Sequence, residues 1–115
     1  MTVVVNPGGN VDRQGIAVIS GTLACSQGIG LPGLGQPPTL SIDLRQRITK
    51  TLVIDGTKDL SIPCPTTPTG WNATIIGSNG PFHKGQAEAL VTGSACDNVG
   101  CATPQLRQIV TLRRK

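Results

Sequence analysis

Aromatic side chains are nearly missing from this sequence, which has one Trp, one Phe and no Tyr in 115 residues. A core must therefore be built from aliphatic side chains, and the 37% hydrophobic residues are mostly Val, Ile, Leu and Ala. Binders of single-stranded nucleic acid interleave stacking aromatics with cations, and here there is almost nothing to stack on. The net charge of +4 thus reads as a mildly basic solvated surface, with no nucleic-acid partner expected. Its cations are scattered, or gathered only at Arg45, Arg47 and Lys50 and at Arg113, Arg114 and Lys115. Charge is sparse altogether, at 14%. No run approaches the ~18 apolar residues that span a bilayer, so no membrane span is expected. A period of 3.6 is absent, and 15 glycines and nine prolines cut the chain into short pieces, which excludes a helical bundle.

A leader pattern is also absent. Met1 runs directly into Thr2-Val3-Val4-Val5, with no basic region and no long apolar core. The chain is then either cytosolic or a mature secreted sequence behind a start methionine. Cysteines favour the second. Cys25, Cys64, Cys96 and Cys101 form an even set in a small Gly/Pro-rich chain, and three pairings are possible. Cys96 and Cys101 enclose the polar turn Asp97-Asn98-Val99-Gly100, where a local bridge is natural, and that leaves Cys25 with Cys64. In the chain-entropy model the long loop contributes on the order of 4 kcal/mol and the short one about 2. A zinc site lacks paired knuckles, since Cys25 and Cys64 stand alone. The expectation is two disulfides, no metal, no cofactor and an extracellular or cell-surface location.

What is plentiful is alternation with a period of two. Thr2–Val5 is a short edge-like strand ended by a turn at Asn6-Pro7-Gly8-Gly9-Asn10. Ala17, Ile19, Gly21, Leu23 and Cys25 share one face of an inner strand. Residues 27–38 form a long Gly/Pro loop carrying Leu31 and Leu34. Leu40, Ile42 and Leu44 then face inward, with Ser41, Asp43 and Arg45 outward. Thr51–Ile54 is a strand closed by an Asp55-Gly56 turn, and Leu60, Ile62 and Cys64 begin another. Trp71, Ala73 and Ile75, then Ala87, Ala89 and Val91, then Leu106, Val110 and Leu112 mark the last three strands. Seven to eight short antiparallel strands with a turn signal about every ten residues are the signature of an all-β sandwich, a single domain over residues 1–115.

No catalytic constellation accompanies this pattern. His83 is the lone histidine, in the turn Pro81-Phe82-His83-Lys84-Gly85, without a nucleophile motif to serve. Asp12, Asp43, Asp55 and Asp59 offer carboxylates, but at outward or turn-capping positions. There is no calcium loop and no phosphate loop. Asn72-Ala73-Thr74 matches the glycosylation sequon, a pattern with a high chance rate. Trp71 reads as a core plug against a Cys25–Cys64 bridge.

Four pieces occur in a recognisable order: Ser20-Gly21-Thr22-Leu23-Ala24-Cys25, Ser61-Ile62-Pro63-Cys64 followed by Trp71, Pro81-Phe82-x-x-Gly85-x-Ala87, and Ala95-Cys96 to Cys101. Over residues 11 to 112 they resemble the small secreted immunoglobulin-like domains of actinobacteria. That resemblance implies an immunoglobulin-like fold and carries no biochemical role, and the 27–38 loop is a departure from it. A second resemblance is to the neocarzinostatin-like apoproteins of enediyne antibiotics, through the late short-loop bridge. Their other bridge is short too, and their cleft is rich in Phe and Trp, unlike this chain. The expected function is a non-catalytic interaction module with a protein or cell-envelope partner, through a surface drawn from Trp71, Leu31, Leu34, Phe82 and His83. The alternatives are a small-molecule carrier beside Trp71, and a surface subunit whose strand Thr2–Val5 pairs with a neighbour's edge.

Overall fold

Alternation in the sequence becomes strand wherever the chain is described. The computed structural model describes residues 2–25, 39–62, 67–96 and 101–114, with side chains at all of these except 95, 96, 101 and 102. No helix occurs among them. The strands are β1 (Thr2–Val5), β2 (Gly8–Val11), β3 (Ala17–Ala24), β4 (Thr39–Arg47), β5 (Val53–Ser61), β6 (Thr69–Ile75), β7 (Gly85–Cys96), β8 (Cys101–Ala102) and β9 (Gln105–Arg114). They form one mixed sheet with two arms. In the first arm β3 pairs antiparallel with β1 and β6. In the second the order is β9-β7-β4-β5, antiparallel throughout, with β8 extending β7. β2 joins the arms, antiparallel to β3 and parallel to β9.

The inward stripes of both arms meet in one core. Ile19, Leu23, Trp71, Ala73 and Ile75 come from the first arm, and Leu40, Ile42, Leu44, Ala89, Val91, Val110 and Leu112 from the second. Each stripe follows the period of two read from sequence. Aliphatic and alanine side chains fill thin layers, so backbones approach closely at a few glycines. A Cβ on Gly21 would land on the Val4 carbonyl oxygen and against the Trp71 ring.

Three expectations are corrected. Asp55-Gly56 is not a turn: β5 runs unbroken from Val53 to Ser61. Gly56 is there because the Ile75 side chain and the Ile76 carbonyl occupy the space of a Cβ. Asn6–Asn10 is not wholly a turn, since Gly8–Val11 is β2. Nor is the sheet purely antiparallel, because β2 runs parallel to β9.

Cys25 is buried and disulfide-bonded. Its expected partner Cys64, like residues 27–38 with Leu31 and Leu34, lies outside the described residues. The register sets Cys96 opposite Cys101, and their side chains also lie outside the described set.

Gly21→Ala should destabilise the domain by about 2–3 kcal/mol through overpacking, read as a lower urea midpoint with an unchanged slope. An unshifted midpoint would show that Gly21 is not tightly packed against the Val4 carbonyl and the Trp71 ring.

Candidate functional site

Among the described residues β5 and β6 each pair along one edge only, with β4 and β3 respectively. Their other edges lie on one flank and are tied at one end. The Asn79 side chain acts there like a peptide unit. Its Nδ2 donates to the Val53 carbonyl at 2.7 Å, and its Oδ1 accepts from the Asp55 N–H at 3.0 Å. Ser78 donates to the Asp55 carbonyl from both its backbone N–H (2.7 Å) and its hydroxyl (2.8 Å).

Towards Leu60 the two edges part. Leu60 and Ile62 are half-buried, Leu23 and Trp71 stand behind them, and with Thr69, Gly70 and Asn72 they line a cavity of about 470 Å³. The lining is mostly apolar, with Thr69 and Asn72 supplying side-chain polar groups. Trp71 is only 4% exposed, and its indole Nε1 donates to the Thr22 carbonyl at 3.2 Å. The ring is a fixed wall whose one donor is already committed.

The other expected surface residues fall elsewhere. Phe82 is buried in the core at 2% exposure. His83 is exposed, beyond the Ala17 end of β3, in a groove with Val11, Asp12, Arg13, Gly15, Pro81, Lys84 and Arg114. Trp71 and His83 are therefore not brought together. The segment carrying His83 is held by Gln46, a side chain that sequence reasoning missed. Gln46 is 3% exposed; its Nε2 donates to the His83 carbonyl and its Oε1 accepts the His83 N–H, both at 2.7 Å. Its place in the inward phase of β4, after Leu40, Ile42 and Leu44, was the available signal. Thr2–Val5 pairs with β3 of its own chain.

A third feature lies on the outward face of β4 and β5. Arg45 sits opposite Asp55 in register and reaches both Asp43 (3.5 Å) and Asp55 (3.8 Å). Asp43 Oδ1 and Asp55 Oδ1 are buried without a hydrogen-bond partner, so a proton held between the two carboxyls would satisfy both. Hydrogen bonding of the protonated Asp43 carboxyl to Asp55, then burial and the Asp55 charge, raise the Asp43 pKa to about 6 against the pull of Arg45. Sequence alternation placed Asp43 outward, but only the uninterrupted β5 brings Asp55 to it. Next to this pair, Arg107 meets Glu88 at 3.5 Å. Among the described residues no three His, Cys, Asp or Glu side chains gather as a metal site, and no helix is long and apolar enough to cross a membrane.

No protein-family model and no curated protein matches the chain.

The Asp43 proton gives a pH prediction. Its folded pKa lies above the ordinary 3.8, so the pair's contribution is complete below about pH 4 and is lost as pH rises through about 6. Asp55 is 41% exposed, and solvent screening keeps the effect on the order of 1 kcal/mol. Asp43→Asn keeps a donor without the charge. Thermal melts should show the variant more stable than the parent at pH 7.5 and flatter between pH 4 and 7. Parallel pH profiles for the two proteins would rule the pair out.

Proposed function

We propose that this chain is a non-catalytic immunoglobulin-like binding domain of the extracellular space, and that the cleft beside Trp71 is its ligand site. The strand order supports the fold reading. One N-terminal segment serves both arms, antiparallel to β3 and then parallel to β9, and two arms that bury their inward stripes in one aliphatic core fit the layered arrangement of a sandwich. The location rests on cysteine usage. A Cys25–Cys64 bridge would tie the end of β3 to the chain after β5, beside the cleft, and a Cys96–Cys101 bridge would cross the opposed pair of β7 and β8.

The observation that carries the ligand reading is the cavity itself. About 470 Å³ lined by Leu23, Leu60, Ile62 and Trp71 falls in the size range of small-molecule sites. Its apolar walls suit an apolar body, and Thr69 and Asn72 suit one polar group at its end. This is the carrier reading of the domain, made concrete by the parting of β5 from β6.

Two experiments test the proposal. Trp71 is the sole tryptophan and the chain has no tyrosine, so intrinsic emission reports on the cleft. A neutral naphthylamine dye should bind saturably and shift that emission. Ile62→Ala should weaken binding roughly tenfold, the loss expected for a few buried methylene groups, with the β-sheet circular dichroism unchanged. Saturable binding that leaves Trp71 emission still, or that ignores Ile62→Ala, would place the ligand elsewhere. Intact mass under thiol alkylation tests the compartment separately. The native protein should take no label and should be lighter than the reduced form by the hydrogens of two disulfides; label on any of the four cysteines without reductant would overturn it.

A further inference from the structure

The groove holding His83 lies beyond the end of β3 remote from Trp71, and it is built differently. Three segments distant in sequence bring cations to it: Arg13 from the turn between β2 and β3, Lys84 from the stretch before β7, and Arg114 from the end of β9. Arg114 arrives through the parallel register that sets it beside Val11. Outside the groove, Arg45 is paired with Asp43 and Asp55 and Arg107 with Glu88, while Arg47, Lys50, Lys58 and Arg113 stand singly on the surface rather than gathered in one groove. Among the described residues, Arg13, Lys84 and Arg114 make no ion pair.

The one carboxylate of the groove is turned to its own backbone. Asp12 Oδ1 accepts the N–H groups of Gln14 (2.8 Å) and Ile16 (3.0 Å). The frame is fixed from three sides. Gly15 donates to the Asp12 carbonyl (3.1 Å), Phe82 donates to the Gly15 carbonyl (3.0 Å), and Gln46 clamps His83 from the core. These hydrogen bonds thus hold the segments bearing Arg13 and Lys84, and the strand pairing of β9 holds Arg114, around a space of about 300 Å³.

We propose that this groove binds a phosphomonoester group. Three cations against one carboxylate leave two positive charges, and a phosphomonoester carries about −1.5 to −2 at pH 7. A carboxylate would leave one cation unmatched. Two guanidinium groups supply the planar forks that phosphate oxygens accept. The phosphate is borne on a soluble molecule, not on a bilayer. Among the described residues the exposed large hydrophobics are Val4, Leu52, Val53, Ile76 and Ile109, and none lines this groove to anchor it in lipid. The assignment is independent of the cleft beside Trp71.

The test is an NMR titration of the ¹⁵N-labelled full chain with glycerol phosphate at low ionic strength. Glycerol and acetate serve as controls, with sedimentation of phosphatidic acid vesicles as a separate arm. Saturating shifts should appear at Arg13, Gly15, Lys84 and Arg114. Arg13→Gln and Arg114→Gln should each weaken binding at least about fivefold, while Arg107→Gln leaves it unchanged. All three positions are exposed or half-exposed on the surface, and amide spectra confirm that the variants fold. Absence of saturation, equal affinity for acetate, or shifts centred on the Arg45–Arg107 face would overturn the proposal. So would co-sedimentation with vesicles in the absence of glycerol phosphate binding, which would assign the groove to a membrane surface.

Discussion

The handover of the N-terminal strand at Asn6-Pro7 is the constraint on which the two arms depend. Up to Val5 the chain follows β3. Asn6 still belongs to that arm, its N–H donating to the Ser20 carbonyl at 2.8 Å and its side-chain amide to the Ser20 hydroxyl at 2.9 Å. Pro7 has no N–H and cannot extend the ladder. Its carbonyl instead accepts the Thr111 N–H of β9 at 2.8 Å. Two adjacent residues are thereby bonded to different arms. From this point Gly8–Val11 runs parallel to β9, and Val11, 2% exposed, plugs the core between them. The same register delivers Arg114 to the groove at that end, so topology and the charged site share one cause.

The scarcity of aromatics explains the other end. A core of Val, Ile, Leu and Ala fills thin layers, and close packing then requires the backbones to come together. Gly21 lets Trp71 lie against β3, and Gly56 lets β5 lie against Ile75 and Ile76. Both are points of closure. Beyond Gly56, Leu60 of β5 and Ile62 just after it, both half-buried, face Leu23 and Trp71, and no large side chain among the described residues fills the gap. The cleft is what remains when one end of a flank is laced by Asn79 and Ser78 and the other is not.

Much of this was legible in the sequence, because a period of two is a local signal. The inward sets Ala17–Cys25, Leu40–Leu44, Trp71–Ile75 and Ala87–Val91 are buried as read, as are Val110 and Leu112 of the last set, whose Leu106 is half-buried. What failed were residues whose local chemistry has two uses. Asp-Gly and Asn-Pro-Gly-Gly promote turns, yet Gly also permits close approach within a strand, and only the neighbouring strand decides which applies. Gln46 has the same ambiguity, being polar by type but inward by phase. The Asp43–Asp55 contact and the meeting of Arg13, Lys84 and Arg114 were invisible for another reason. They join segments by register and topology, which no single stretch of sequence encodes.

Lys58 draws these strands of reasoning together. It occupies the inward phase of β5, between Gly56 and Leu60 and opposite Ile42 in register, yet it is exposed. A lysine at such a position is a means of protecting an unpaired edge, since adding another strand would cost the solvation of its charge. A charge on that edge disfavours an added strand, and this accords with the proposal of a compact ligand held by side chains beside Trp71 rather than an extended peptide held by backbone hydrogen bonds.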